Sequence, residues 1–178
     1  MSGSTGMFHI VSAVIAASGL AKLISPDAFV GICRVLHIPM ARFAARLVGV
    51  TELAVGVWAV LVGGRVAGGV VAVAYLVFAV MVMAARRAGA PSCGCFGAVP
   101  APPGMTHAVV DLASATVAVV AAASGNVTGL PDTLRLQPAF GVPYLLAVVT
   151  GVALVIAIDT VGADLVAALT LHRQPLHT

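Results

Sequence analysis

Charge is what this sequence has least of: Asp, Glu, Lys and Arg supply 8% of its 178 residues, against roughly 25% in ordinary soluble domains. That scarcity excludes a water-solvated fold. Hydrophobic residues make up 61% and the mean hydropathy is +1.12, so lipid is the expected solvent. The formal net charge of +3 comes from dispersed cations, which excludes a nucleic-acid footprint and suits loops that meet anionic headgroups. Long polar stretches are missing too, so no separate soluble catalytic domain fits. Cysteine is nearly absent: Cys33, Cys93 and Cys95 are too few for a secreted disulfide scaffold, and the odd count leaves at least one thiol outside any intramolecular bridge. Between Met1 and Met7 no Lys or Arg precedes the apolar run, so the cationic region of a cleaved secretory signal is lacking and the run reads as a retained helix.

What the sequence does hold is a series of apolar runs of spanning length, the pattern of an all-α polytopic membrane bundle in one domain, residues 1–178. The runs cover about Met7 to Ile24, Phe43 to Val62, Val66 to Ala85 and Met105 to Ala123, a four-helix core over residues 7–123. Ser25-Pro26-Asp27 stops the first run and starts a short amphipathic helix, residues 26–37, expected to lie in the interface. Gly63-Gly64-Arg65 closes a tight hairpin between the second and third runs. Residues 88–104, rich in Gly and Pro, cannot continue a helix and must lie at a surface or cavity. After a polar connection from Ser124 to Gly141, an additional C-terminal helix is expected over residues 142–171, running past Asp159 and Asp164, with a break near Gly162 as the alternative.

Because spans alternate direction, Cys33 and the Cys93/Cys95 pair are expected at one membrane face. That face also carries Lys22, Arg34, Arg42, Arg46, Arg86 and Arg87, against Arg65 and Arg135 on the other. Charge bias alone would make it cytoplasmic.

Cys93-Gly94-Cys95 is the sharpest local signal. Gly takes backbone conformations that draw two cysteines one residue apart toward disulfide or shared-metal distance. A bridge across so small a ring is strained and easily exchanged, which suits a redox-active pair; the bland alternative is a turn with idle thiols. Arg86 and Arg87 would favour a thiolate if the loop folds back on them. Cys33 and His37, at i and i+4, are expected to point the same way, with Cys33 either a third thiol or a packing residue. His107 and Asp111 repeat that spacing just after the loop, where a carboxylate-oriented imidazole would move protons. Glu52, near the middle of a span, costs about 2.5–3.5 kcal/mol on insertion scales and needs an interior partner, for which Tyr75, Ser12 or Ser18 are candidates. Lys22 either snorkels to the headgroups or folds in toward acidic groups. Asp159 has no assigned role, and Tyr144 and Trp58 read as ordinary membrane aromatics.

Gly19-Leu20-Ala21-Lys22-Leu23 with Pro26 and Phe29, Glu52 with Gly56, Phe78, Arg86 and Cys93-Gly94-Cys95-Phe96-Gly97 together resemble the MauE family of methylamine-utilisation membrane proteins, within the DoxX-like four-helix group. The likeness covers about Met7 to Ala123. It implies help in maturing an exported enzyme of the methylamine dehydrogenase type, with a thioredoxin-like partner exchanging electrons at disulfides. The layout is also similar to DsbB and vitamin K epoxide reductase, which would add a quinone, although their Cys-x-x-Cys pair is absent. The expected function is therefore thiol-disulfide exchange by Cys93 and Cys95, with Cys33 as a resolving thiol and His107/Asp111 handling protons. The expected location is a bacterial inner membrane with the cysteine loop extracytoplasmic. The alternatives are a soft-metal binder or transporter using Cys33, Cys93, Cys95, His37 and His107, and a non-catalytic assembly subunit. The oligomeric state is left open.

Overall fold

The computed structural model describes residues 3–95 and 103–172, the side chains of the last helix as far as residue 162. Among the described residues seven α-helices follow one another: α1 Gly3–Ile24, α2 Asp27–Val35, α3 Arg42–Val62, α4 Gly64–Arg87, α5 Met105–Ser124, α6 Leu130–Leu136 and α7 Gly141–His172. A 3₁₀ turn, Pro138–Phe140, leads into α7. Five segments of the described residues are long and apolar enough to cross a membrane: α1, α3, α4, α5 and Pro138–Gly162. The all-α polytopic bundle with a fifth C-terminal span is thus the architecture.

Several local outcomes differ from the expected pattern. The interfacial helix ends at Val35, and His37 takes a left-handed conformation (φ 57°). The Ile38 N–H donates to the Cys33 carbonyl at 2.8 Å, closing the helix end in the manner of a Schellman motif before Pro39 leads the chain away. His37 is exposed while Cys33 is buried, so the expected shared face is not formed. The connection after α5 contains a short helix, α6. The last helix is continuous through Gly162, not broken there; its 32 residues give about 48 Å, longer than the ~30 Å hydrocarbon core.

Small residues set the packing, as lipid supplies no hydrophobic drive between helices and close backbone approach must do so. α1 crosses α3 where Gly19 faces Gly49, and again where Gly56 meets the Ser12 carbonyl: a Cβ on Gly56 would stand 2.6 Å from that oxygen. α4 packs on α5 through Gly68 against Ala118 and Ala122. Phe8, Val11, Ile15, Val71, Tyr75, Ala115 and Ala118 fill the core between these pairs. Phe43, Val66, Val80, Leu146 and Val149 point outward, toward lipid.

The end away from the cysteines is tied by polar contacts. Gly63 and Gly64, both at positive φ, turn α3 into α4, and the Gly64 N–H donates to the Val127 carbonyl at 2.9 Å. His9, fully buried, hydrogen-bonds the Tyr144 hydroxyl through Nδ1 and approaches the Thr128 carbonyl through Nε2 at 3.1 Å. Tyr144 is therefore the anchor of α7 on α1, a more specific role than a membrane-interface aromatic.

Candidate functional site

At the other end of the bundle the loop after α4 folds down onto α2. Gly89 (φ 67°) ends the helix, and the Ala90 N–H returns to the Ala85 carbonyl at 3.0 Å. Gly94 also sits at positive φ (67°), with the Ala28 carbonyl only 3.0 Å from where a Cβ would be. Both the conformation and the space require glycine there. On either side of it Cys93 is buried against Val82 and Ala108, and Cys95 is half-buried. The Cys95 thiol donates to the Cys93 carbonyl at 3.6 Å, and all three cysteines are free thiols.

The two thiols are not equivalent. The neighbouring Cys95 thiol, followed by the His107 imidazole, holds the Cys93 thiol well below the usual range despite its burial. The same pairing with Cys93, reinforced by burial, pushes Cys95 up. The surroundings thus favour the thiolate at Cys93 and the protonated thiol at Cys95. Arg86 and Arg87 are exposed and are not among the groups that hold Cys93 low; the His107 imidazole is. Cys33 packs in a separate cluster with Ile32, Ala85 and Ala90, where burial alone pushes its thiol up.

Beneath the loop lies a closed polar cluster. Lys22 Nζ donates to Glu52 Oε2 at 2.7 Å and to Ser18 Oγ at 2.7 Å, with Lys22 2% and Glu52 9% exposed. Ser18 Oγ in turn lies 3.2 Å from Glu52 Oε2 and 3.0 Å from the Cys95 carbonyl. One hydroxyl proton thus serves two acceptors, and the buried ion pair is wired to the cysteine loop. Phe29 and Phe78 flank the ammonium at 5.3 and 5.6 Å, within cation–π range. Of the partners expected for Glu52, Ser18 is present; Tyr75 instead donates to the Val11 carbonyl at 2.7 Å, and Ser12 Oγ has no partner.

Beside Cys95 is a small, partly enclosed cavity of about 20 Å³, measured as space open to the centre of a water molecule, with Ser18, Tyr75, His107, Asp111 and Asp159 in its walls. His107 Nδ1 accepts from the Gly104 N–H at 3.3 Å, so the neutral ring carries its proton on Nε2. That atom has no hydrogen-bond partner, nor does Asp159 Oδ1. His107 and Asp111 thus lie together beside Cys93 and Cys95. Asp159 joins them from α7, which nothing local in the sequence signalled. Among the described residues no three Cys, His, Asp or Glu side chains are grouped to hold a metal ion; Cys33 and His37 stand apart from Cys93, Cys95 and His107.

The family model described as "Methylamine utilisation protein MauE" matches residues 4–128. The chain belongs to the MauE family. The match takes in α1 to α5, hence both the Lys22–Glu52 pair and the cysteine loop, and stops short of α6 and α7. Phe96 and Gly97, the end of the MauE-like cysteine motif, lie outside the described residues. No curated protein and no solved structure matches the chain.

Proposed function

We propose that this MauE-family membrane protein performs thiol-disulfide exchange through Cys93 and Cys95, supporting maturation of an exported enzyme of the methylamine dehydrogenase type with a thioredoxin-like partner. The observation that carries the reading is the inequality of the two thiols, one held low beside His107 and the other high beside the cavity that His107, Asp111 and Asp159 help to line. In the exchange, the Cys93 thiolate attacks a partner disulfide: a bond forms between Cys93 Sγ and one partner sulfur, and the other partner sulfur leaves as thiolate. Cys95, once deprotonated, attacks Cys93 Sγ and releases the second partner sulfur. Two electrons pass to the partner, whose two sulfurs take up the proton lost by Cys95 and one from solvent, and the chain is left with a Cys93–Cys95 disulfide. Run backward, the same steps pass that disulfide to a client. No quinone is needed for this exchange, and Cys33 stands outside the proposed pair.

The proposed setting is a bacterial inner membrane with the cysteine loop on the outer face, where an exported client is reached. Impermeant thiol reagents on oriented vesicles test the side. The exchange itself is tested by trapping: Cys95→Ser should accumulate a mixed disulfide through Cys93, and Cys93→Ser much less. Failure of both variants to recover a disulfide-linked partner, with tight copper(I) binding by the wild type, would overturn the reading in favour of soft-metal capture.

A further inference from the structure

Asp159 comes to the cysteine site from the one spanning helix that the family match does not reach. α7 is seated against α1 where Gly151 packs over Ile10 and against α5 where Gly162 packs over the Thr106 methyl. This close approach turns Asp159, 6% exposed, into the bundle. Its Oδ1 has no hydrogen-bond partner although it lines the cavity shared with Cys95, His107 and Asp111. A cavity needs roughly 10–15 Å³ of such space and two to four polar partners to hold a water. This one has about 20 Å³ and walls that supply them.

Cys95 must lose its proton before it resolves a mixed disulfide, and His107 is not free to take it. Its Nδ1 already accepts the Gly104 N–H, so in the neutral ring Nε2 bears the proton and offers no lone pair to the cavity. A carboxylate must serve. Asp111 is held one turn along α5 from His107, whereas Asp159 presents an unpartnered acceptor oxygen. We propose that Asp159 is the proton acceptor for the resolving thiol Cys95, acting through one internal water shared with Asp111 and His107. The inference rests on the exchange reading above. In the step, the Cys95 proton passes by the water to the Asp159 carboxylate. The Cys95 sulfur then bonds to Cys93 Sγ, the Cys93–partner S–S bond breaks, and its electron pair leaves on the partner sulfur, which is afterwards protonated. The polar groups that face Asp159 are His107 and Asp111 from α5, Cys93 and Cys95 from the loop, Tyr75 from α4 and Ser18 from α1.

The test uses the purified full chain in lipid nanodiscs with 2,2′-dithiodipyridine as the disulfide, in a Cys33→Ala background so that only the pair reports. Attack by Cys93 releases one thiopyridone and closure by Cys95 releases a second. Asp159→Asn should leave the first release near its wild-type rate, which also shows the fold intact, and slow the second about 100-fold near neutral pH, the lower end of a general-base contribution. The deficit should shrink as pH rises and solvent takes the proton directly, and Asp159→Glu should restore most of the rate. A second release in Asp159→Asn as fast as wild type overturns the inference, as does a deficit that is independent of pH and not relieved by Glu. If the wild type itself gives no second release, the exchange reading fails instead.

Discussion

Two buried polar clusters flank Cys95, and they are built on opposite plans. Lys22, Glu52 and Ser18 form a closed set in which ammonium and carboxylate meet at 2.7 Å and the hydroxyl joins them to the Cys95 carbonyl. His107, Asp111 and Asp159 form an open set around a cavity, with two polar atoms left without partners. A buried charge whose partners are all in place holds helices together. A buried polar group without a partner is costly and marks a place where water, protons or a ligand are handled. In the proposed exchange, the difference separates the part of this bundle that fixes the loop from the part that would handle its protons.

The largest expected effect falls on the closed cluster. Glu52→Leu strands the Lys22 ammonium in the interior and should cost about 3–5 kcal/mol, read as a lowered unfolding midpoint in mild detergent. Glu52→Gln keeps hydrogen bonding but also leaves the ammonium without a counter-charge, so it should fold less well than a lone buried Glu would suggest. Equal stability of wild type and Glu52→Leu would break the comparison. Asp111→Asn, in the open cluster, should by contrast leave the midpoint within about 1 kcal/mol, as expected where no close ion pair is lost.

Next in size is the pH dependence of the thiols. With Cys93 held low by Cys95 and His107, its thiolate persists as pH falls from 8 to 6. Alkylation of Cys93 should then change little over that range, whereas an unperturbed thiol near pKa 8.5 loses roughly 100-fold. Cys95, pushed up by Cys93 and burial, should label only as pH rises. His107→Ala should return part of the ordinary pH dependence to Cys93; mass spectrometry of the labelled peptides reads both sites.

A smaller effect tests the link between the clusters. Ser18→Ala removes the hydroxyl shared by Glu52 and the Cys95 carbonyl and should cost about 1–2 kcal/mol, with faster alkylation of Cys95 as the loop loosens. An unchanged Cys95 rate would show that the loop is held by Gly94 and α2 alone. Smallest is the Arg42–Asp27 pair at 2.6 Å, where both side chains are well exposed. Arg42→Ala should cost less than about 1 kcal/mol.

Much of the architecture was legible because lipid leaves the backbone few choices: a run of spanning length without charge must be a helix, and Gly-Gly or Pro-Gly clusters must lie between helices. The four core spans, the hairpin at Gly63-Gly64 and the common end of Cys33 with Cys93/Cys95 follow from that rule, whereas the unbroken course of the fifth span through Gly162 does not. Glu52 had to face inward for the same reason. Its partner was not legible, since Lys22, set near the end of α1, was equally suited to the headgroups; only the crossing of α1 on α3 at Gly19 and Gly49 brings the two together. His37 was misplaced because i, i+4 spacing assumes a helix that in fact ends two residues earlier.

The sequence by itself determined the solvent, the four core spans, and which cysteines, histidines and carboxylates the chain has to offer, because hydropathy and residue type act locally along the chain. The tertiary structure alone decided which of those residues meet. Cys33 and Cys93 share an end yet pack in separate clusters, while Asp159, far along the chain on α7, reaches the cavity beside Cys95. Such meetings depend on where small residues let two helices approach and how each is rotated, and neither quantity is written in any one segment.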